Sequence, residues 1–412
     1  MYKILTIILT LLPALAFAGE MPAYLPLQSA QSLSPLPPRA TQLPPVPLLS
    51  STERIDRAVE SAISKGLISG GVMLVGNRNG TLFAHAYGRV APEATARPVT
   101  LDTIFDLASL TKVVATTTAI MKLAEERKLS LVDPVRRWFK EFEGKGKDDL
   151  LLLNLLTHTS GLDDFSLDPV APEQSAIHRA AEQRLKGEIG TRFHYADINF
   201  ILLAELVKVV SGEPLDVYTA KRFFGPLGMK DTLFKPPQEL YSRIAPTFGD
   251  NPQGSVGRPQ DSLARQLGSV AGHAGLFSTA PDLGIFCRMI LGGGVLDGKR
   301  VMAERTVAQI TAPYFSRGGK VIRGLGWDIA SPFSTPRGEF FSRASFGHTG
   351  YSGGSLWLDV DADLYVIMLT TRLDYKKSGE FRQFRSGLST LAFEAFGKPV
   401  SLQELEDAEG VQ

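Results

Sequence analysis

Apolar residues recur at helical spacing from Thr52 to Lys65, at Ile55, Val59, Ala62 and Ile63, and predict an amphipathic helix. Two strand-like runs follow, Gly71 to Val75 and Thr81 to Tyr87, and the Asn79-Gly80 step between them predicts a hairpin turn. Strand patterning returns only late, at Glu339 to Phe346, Ser355 to Val360 and Leu364 to Thr371, with Asp361-Ala362-Asp363 as a turn. Between these ends the pattern is mainly helical: Ser109 to Leu129, Asp197 to Val210, Pro214 to Phe224 and Pro281 to Leu291. Thr279 followed by Asp282, with Pro281 in the first turn, marks the start of the last of these helices. Glu380 to Phe396 predicts a closing helix. Strands at both ends and helices between them predict an α+β fold. One antiparallel sheet is built from both chain termini, terminal helices flank it, and a large helical lobe is inserted. A cleft is expected between sheet and lobe.

The two ends read differently. Lys3 precedes an apolar run from Ile4 to Ala18 that ends in Ala16-Phe17-Ala18, a small-x-small cleavage pattern. Residues 1–18 therefore predict a secretory signal peptide, with Gly19 as the mature N-terminus. The run is shorter than the roughly 20 residues of a membrane span, so no integral span is expected after cleavage. Residues 19–50 are rich in Pro, Ser and Gln and predict an extended linker. Residues 51–397 carry the patterned domain, and 398–412 predict a flexible tail. The expected location is periplasmic or extracellular.

Composition narrows the function. With 412 residues, 44% hydrophobic, 21% charged and a net charge of +1, the chain has no basic surplus suited to nucleic acid. Cys287 is the only cysteine, so an exported chain holds no internal disulfide. It lies in an apolar helical stretch and reads as a core thiol rather than a nucleophile. The histidines show no His-Glu-x-x-His spacing, so neither a metal nor another cofactor is expected. The pattern carries no signal for an oligomeric state.

Three segments carry candidate chemistry. Ser109-Leu110-Thr111-Lys112 is the only Ser-x-x-Lys in the chain, and it heads the apolar stretch Val113 to Met121. One helical turn puts the Lys112 nitrogen beside the Ser109 hydroxyl, and a lysine at the head of a buried helix needs a reason. Tyr195-Ala196-Asp197 precedes a helix start, where a phenol can enter a cleft or Asp197 can act as the cap. His348-Thr349-Gly350 ends a strand and leads into Tyr351-Ser352-Gly353-Gly354, whose small residues let a substrate backbone approach the strand edge.

Together these segments resemble the serine β-lactamase and penicillin-binding protein family, nearest its class C β-lactamases, DD-peptidases and related esterases. Further landmarks are Leu155-Leu156-Thr157-His158-Thr159-Ser160-Gly161-Leu162, Pro226-Leu227-Gly228-Met229 and Gly272-His273-Ala274-Gly275-Leu276-Phe277-Ser278. The resemblance implies a nucleophile at Ser109 and a general base shared by Lys112 and Tyr195. It implies an oxyanion hole at the Ser109 and Tyr351 N–H groups, and substrate contacts from Asp197, Asn199, His348, Thr349 and Gly350. Either a phenolate beside an ammonium or a neutral amine can serve as the base. Substrates are expected to be small molecules or peptidoglycan peptides: D-Ala-D-Ala-type peptides, β-lactams or small esters and amides.

Two positions depart from the family pattern. Asp197 stands where the family has Asn, and a carboxylate near Lys112 favours its ammonium form. Alternatively, Asp197 only caps the helix and Asn199 turns inward. His348 stands where the family has Lys, and its charge is expected to govern the grip on carboxylate substrates. Other readings fail or stand aside. Gly350-Tyr351-Ser352-Gly353-Gly354 matches a nucleophile elbow, but no histidine follows Ser352 to complete the Ser, acid, His order. Gly293 to Lys299 mimics a phosphate-binding loop, but Arg300 replaces the needed Ser or Thr. His158 and His273 are expected to hydrogen-bond loops near the cleft. A non-catalytic cell-wall binding or sensor protein on the same fold is the alternative of a different class.

Overall fold

The computed structural model describes residues 50–397 apart from 250, 252, 318 and 319. The expected signal peptide, the linker (but for Ser50) and the tail lie outside the described residues.

Both ends of the domain build one sheet. Strands β1 (Ile68–Asn77), β2 (Gly80–Gly88), β3 (Phe346–Thr349), β4 (Ser355–Asp359) and β5 (Leu364–Arg372) lie in the order β3-β4-β5-β1-β2, every neighbouring pair antiparallel. The central pairing joins Val72 to Leu369 and Leu74 to Ile367, nearly 300 residues apart in sequence. β1 is buried along almost its whole length because both faces of the sheet are covered, so it reads as an apolar run rather than an alternation. Val72 and Leu74 pack toward the helical lobe, while Met73 and Val75 pack into a second core with Ile55, Val59, Phe381 and Leu388 of the two terminal helices. Those helices, Ser51–Ser64 and Ser378–Phe396, therefore cover the face away from the lobe. Ser50 caps the first through a capping box with Glu53.

Most expected elements form, with three differences. The hairpin turn is Arg78-Asn79, and Gly80 already pairs with Asn77 in the ladder. The Asn77 side chain accepts the Asn79 and Gly80 N–H groups, which fixes the turn one residue early. The stretch from Glu339 to Ser345 is irregular, and only Phe346–Thr349 forms a strand. The Ser342 side chain and N–H bond to Asp359, so that backbone is spent on a side chain rather than a ladder. The segment from Ser109 is not one α-helix: Ala108–Leu110 is a 3-10 turn, Lys112–Thr117 is π-helical and Thr118–Glu125 is α-helical. Thr118 donates its hydroxyl to the Val113 carbonyl, five residues back, in keeping with the wider turn. Among the described residues no helix is long and apolar enough to cross a membrane.

Candidate active site

Ser109 sits where the lobe meets the end of the edge strand β3, whose Gly347 is itself paired with Asp328. Its backbone is set by an unusual neighbour, since Ala108 has φ +45°, a left-handed conformation that costs a non-glycine residue. Asp106 holds that turn: one carboxylate oxygen accepts the Ala108 N–H at 2.9 Å and the other accepts the Gln260 N–H at 2.8 Å. Burial pushes the Asp106 carboxyl up to about 6 despite those two donors. Ser352 is buried and donates its hydroxyl to the Asp106 carbonyl at 2.6 Å. The serine of the elbow-like sequence is thus a strut beneath Ser109.

Lys112 is fully buried, and its Nζ lies 3.0 Å from Ser109 Oγ, 3.0 Å from the His273 carbonyl and 2.7 Å from an Asp197 oxygen. The Tyr195 ring centre is 5.0 Å from the same nitrogen. Burial pulls the Lys112 ammonium down, but Asp197 and then Tyr195 outweigh it, and the group is held above its ordinary range. Asp197 stands before the helix Ile198–Ser211 without its side chain capping it, and turns to Lys112. Of the two readings of Asp197, the geometry follows the one with the carboxylate beside the lysine.

Two clefts meet at Ser109. The larger, about 310 Å³, is lined by Tyr195, Arg323, His348, Thr349, Gly350 and Tyr351 among others. The smaller, about 290 Å³, is lined by Tyr195, Asp197, Gln260, Asp261, Ser262 and Tyr351 among others. The structure therefore brings Ser109, Lys112, Tyr195, Asp197, His348, Thr349, Gly350 and Tyr351 together. Asn199 is different: it is fully buried, lines neither cleft, and bonds to Ser160, the Ala196 carbonyl and His158.

The expectation for His348 needs correction. Its Nδ1 lies 2.9 Å from the Thr349 carbonyl, which can only accept, so Nδ1 carries the proton. Its Nε2 lies 3.2 Å from Arg323 Nη2, which can only donate, so Nε2 accepts. Burial and then the Arg323 guanidinium hold the imidazole well below its ordinary range, and it is neutral. Both nitrogens are occupied by the protein, and the positive charge at this point belongs to Arg323. Arg323 is fully buried, pairs with Asp328 at 3.4 Å, and leaves Nε and Nη1 without a hydrogen-bond partner among the described residues. Sequence reasoning missed it, and the available signal was an arginine closing Val321-Ile322 and followed by Gly324-Leu325-Gly326-Trp327.

His273 Nε2 pairs with Asp261 at 2.8 Å, which fixes the loop whose carbonyl holds Lys112. Asp197, Asp261 and His273 bring possible metal-ligand atoms within 4.8 Å of one another. The Lys112 ammonium already sits on Asp197 and takes the electrostatic place of a cation there.

A serine-bearing turn, a buried lysine and a phenol beside the sheet have the arrangement of a serine-hydrolase type of site on an α+β fold. The chain belongs to the Beta-lactamase family, whose model matches residues 55–386. It is 29% identical over 360 residues to a protein of Salmonella schwarzengrund named "Putative D-alanyl-D-alanine carboxypeptidase", covering 77% of this chain and 82% of that one. Among solved structures it resembles a penicillin-binding protein homologue from Caulobacter crescentus, with a TM-score of 0.69 and 20% identity over 84% of this chain and 97% of that one. It also resembles a β-lactamase/D-alanine carboxypeptidase from Pseudomonas syringae, with a TM-score of 0.68 and 17% identity over 84% and 98% of the two chains. At such identities the structural likeness speaks for the fold.

Proposed function

We propose that the chain is an exported serine hydrolase that forms an acyl-enzyme on Ser109. The observation that carries this reading is the buried Lys112 ammonium, 3.0 Å from Ser109 Oγ and 2.7 Å from Asp197. A lysine held as an ammonium cannot take the serine proton, so the base role falls to Tyr195, with Lys112 stabilising charge on the phenol oxygen. Ser109 Oγ attacks the substrate carbonyl carbon while its proton passes to Tyr195. The carbonyl oxygen becomes an oxyanion against the Ser109 and Tyr351 N–H groups. The bond to the leaving amine or alcohol then breaks, and the leaving group takes the proton from Tyr195. Water repeats the sequence on the ester and returns the acid and free Ser109.

The substrate class we favour is a peptide ending in a free carboxylate, of the D-Ala-D-Ala type, with β-lactams and small esters as related substrates. Arg323, Arg372, Arg382 and Arg385 all line the larger cleft against the single carboxylate of Asp328. The names of the relatives support the same class. Assay of a D-Ala-D-Ala peptide beside its C-terminal amide tests this: the free acid should be cleaved with the higher kcat/KM. Equal rates would remove the argument from the arginines. The exported location rests on residues 1–18 alone. Protein recovered outside the cytoplasm and beginning at Gly19 would support it, and a cytosolic species retaining Met1 would count against it.

A further inference from the structure

Tyr195 has no regular structure to hold it. It lies in the irregular stretch before the helix Ile198–Ser211, yet its phenol must be placed at Ser109. The Tyr195 ring packs against Phe333 and His348, and one further residue touches both its ring and its flanking backbone. His158, in the landmark stretch Thr157-His158-Thr159-Ser160, is fully buried with φ +55°, a left-handed conformation rare outside glycine. Its carbonyl accepts the His194 N–H at 2.8 Å. Its Nδ1 accepts the Ala196 N–H at 3.2 Å, so the residues on both sides of Tyr195 are tied to it. The Asn199 side-chain nitrogen lies 3.2 Å from the same Nδ1. Its ring stacks on the Tyr195 ring with centroids 4.4 Å apart and planes 24° apart.

The chemistry of Nδ1 restricts this residue. A backbone N–H can only donate, so Nδ1 must be an unprotonated acceptor, and an imidazolium there would set hydrogen against hydrogen. Burial, then the Arg323 and Lys112 charges, hold the imidazole well below its ordinary range. Asn at this position could accept but not stack, and Phe could stack but not accept.

We propose that His158 is a positioning residue for Tyr195, bracketing its peptide on both sides and stacking beneath its ring so that the phenol meets Ser109. This rests on the reading of Tyr195 as the base. A displaced phenol slows proton transfer, and a misplacement of about 1 Å can cost on the order of 10²-fold in rate.

The test is a double-mutant cycle on nucleophilic attack by Ser109, read as acylation by a neutral ester and as phosphonylation, with loss of fluoride, by a fluorophosphonate probe. Folding of each variant is followed by near-UV circular dichroism. Tyr195→Phe alone tests the underlying reading, and undiminished acylation would remove both Tyr195 as base and this inference. Given a slow Tyr195→Phe, His158→Asn and His158→Phe should each slow acylation by roughly 10- to 100-fold with KM little changed. Each should also move the pH profile of kcat/KM. Added to Tyr195→Phe, either should change the rate by less than about twofold, because the restrained group is already gone. Wild-type rates in the folded His158 variants, or losses that multiply with Tyr195→Phe, would overturn His158 and leave Tyr195 standing. The two variants remove different halves of the restraint, so either one that folds carries the test.

Discussion

A lysine with no exposed surface keeps its charge only if its neighbours offset the loss of water. Lys112 has Asp197 at 2.7 Å and two oxygen partners at 3.0 Å, and the proposal of Tyr195 as the base rests on this set. Asp197→Asn would leave burial less opposed, so the ammonium would lose its proton at lower pH. The alkaline limb of kcat/KM for a neutral ester should therefore move to lower pH, and an unmoved limb would contradict this account of Lys112. Arg323 gives a second expectation. A hydrogen bond to a charged group contributes about 1.5–3 kcal/mol, so Arg323→Gln should raise KM for a carboxylate peptide about tenfold or more and leave a neutral ester nearly unaffected. Because His348 is neutral, KM for the peptide should stay level from about pH 8 to pH 6. A KM that falls with pH over that range would restore His348 as the charged contact.

At the scale of elements, the site depends on close approach of the loop at Gly272 to the helix Ile198–Ser211. A Cβ on Gly272 would lie 1.9 Å from the Phe200 carbonyl oxygen, and Gly272 also accepts the Thr116 hydroxyl at 2.7 Å. Gly272→Ala must push backbone apart, so urea denaturation should show a loss of about 1–3 kcal/mol or more. Acylation should slow as well, since the neighbouring His273 carbonyl holds Lys112. The sheet and the terminal helices were legible because their patterns are local: helical spacing at Ile55 and Val59, a turn signal within one residue of the observed 78–79 turn, and turn residues at 361–363. The π-helical turn at Lys112 was not, because it depends on where Thr116 and Thr118 find acceptors. Ser109, Lys112 and Tyr195 were legible as motifs. Arg323 was not, and the turn of Asp197 toward Lys112 stood only as one of two readings, since each is defined by a partner distant in sequence. His348 misled because a sequence shows the imidazole but not the guanidinium beside it.

For the whole molecule, two cores share one sheet, and the site lies at the border of the lobe-side core. Two neutral histidines, His158 and His348, are buried there among cations, which makes the fold acid-sensitive. As pH falls past about 6.5 the unfolded chain takes up a proton on each histidine, while the folded chain does not until well below that. At the histidines the unfolded state binds more protons in that window. Asp106, held at about 6 in the folded chain, takes up a proton there over the same window and offsets part of this. Two histidines outweigh one carboxyl, so stability still falls with pH, by less than the two would give alone at roughly 1.4 kcal/mol per unit each. The urea midpoint should drop between pH 7 and pH 5, and His348→Gln should shallow the slope by about one proton. A slope that His348→Gln leaves unchanged would show that this ring is charged or solvated in the folded state.

The central claim is covalent chemistry at Ser109, and intact-protein mass spectrometry with a fluorescent penicillin or a fluorophosphonate reads it directly. The wild-type protein should gain the mass of one ring-opened penicillin, or of one fluorophosphonate less the HF that leaves, mapped to the peptide containing Ser109. Ser109→Ala should gain none while keeping its circular dichroism, and Ser352→Ala, if folded, should still be labelled. Undiminished labelling of Ser109→Ala, or label on any other residue, would contradict the account.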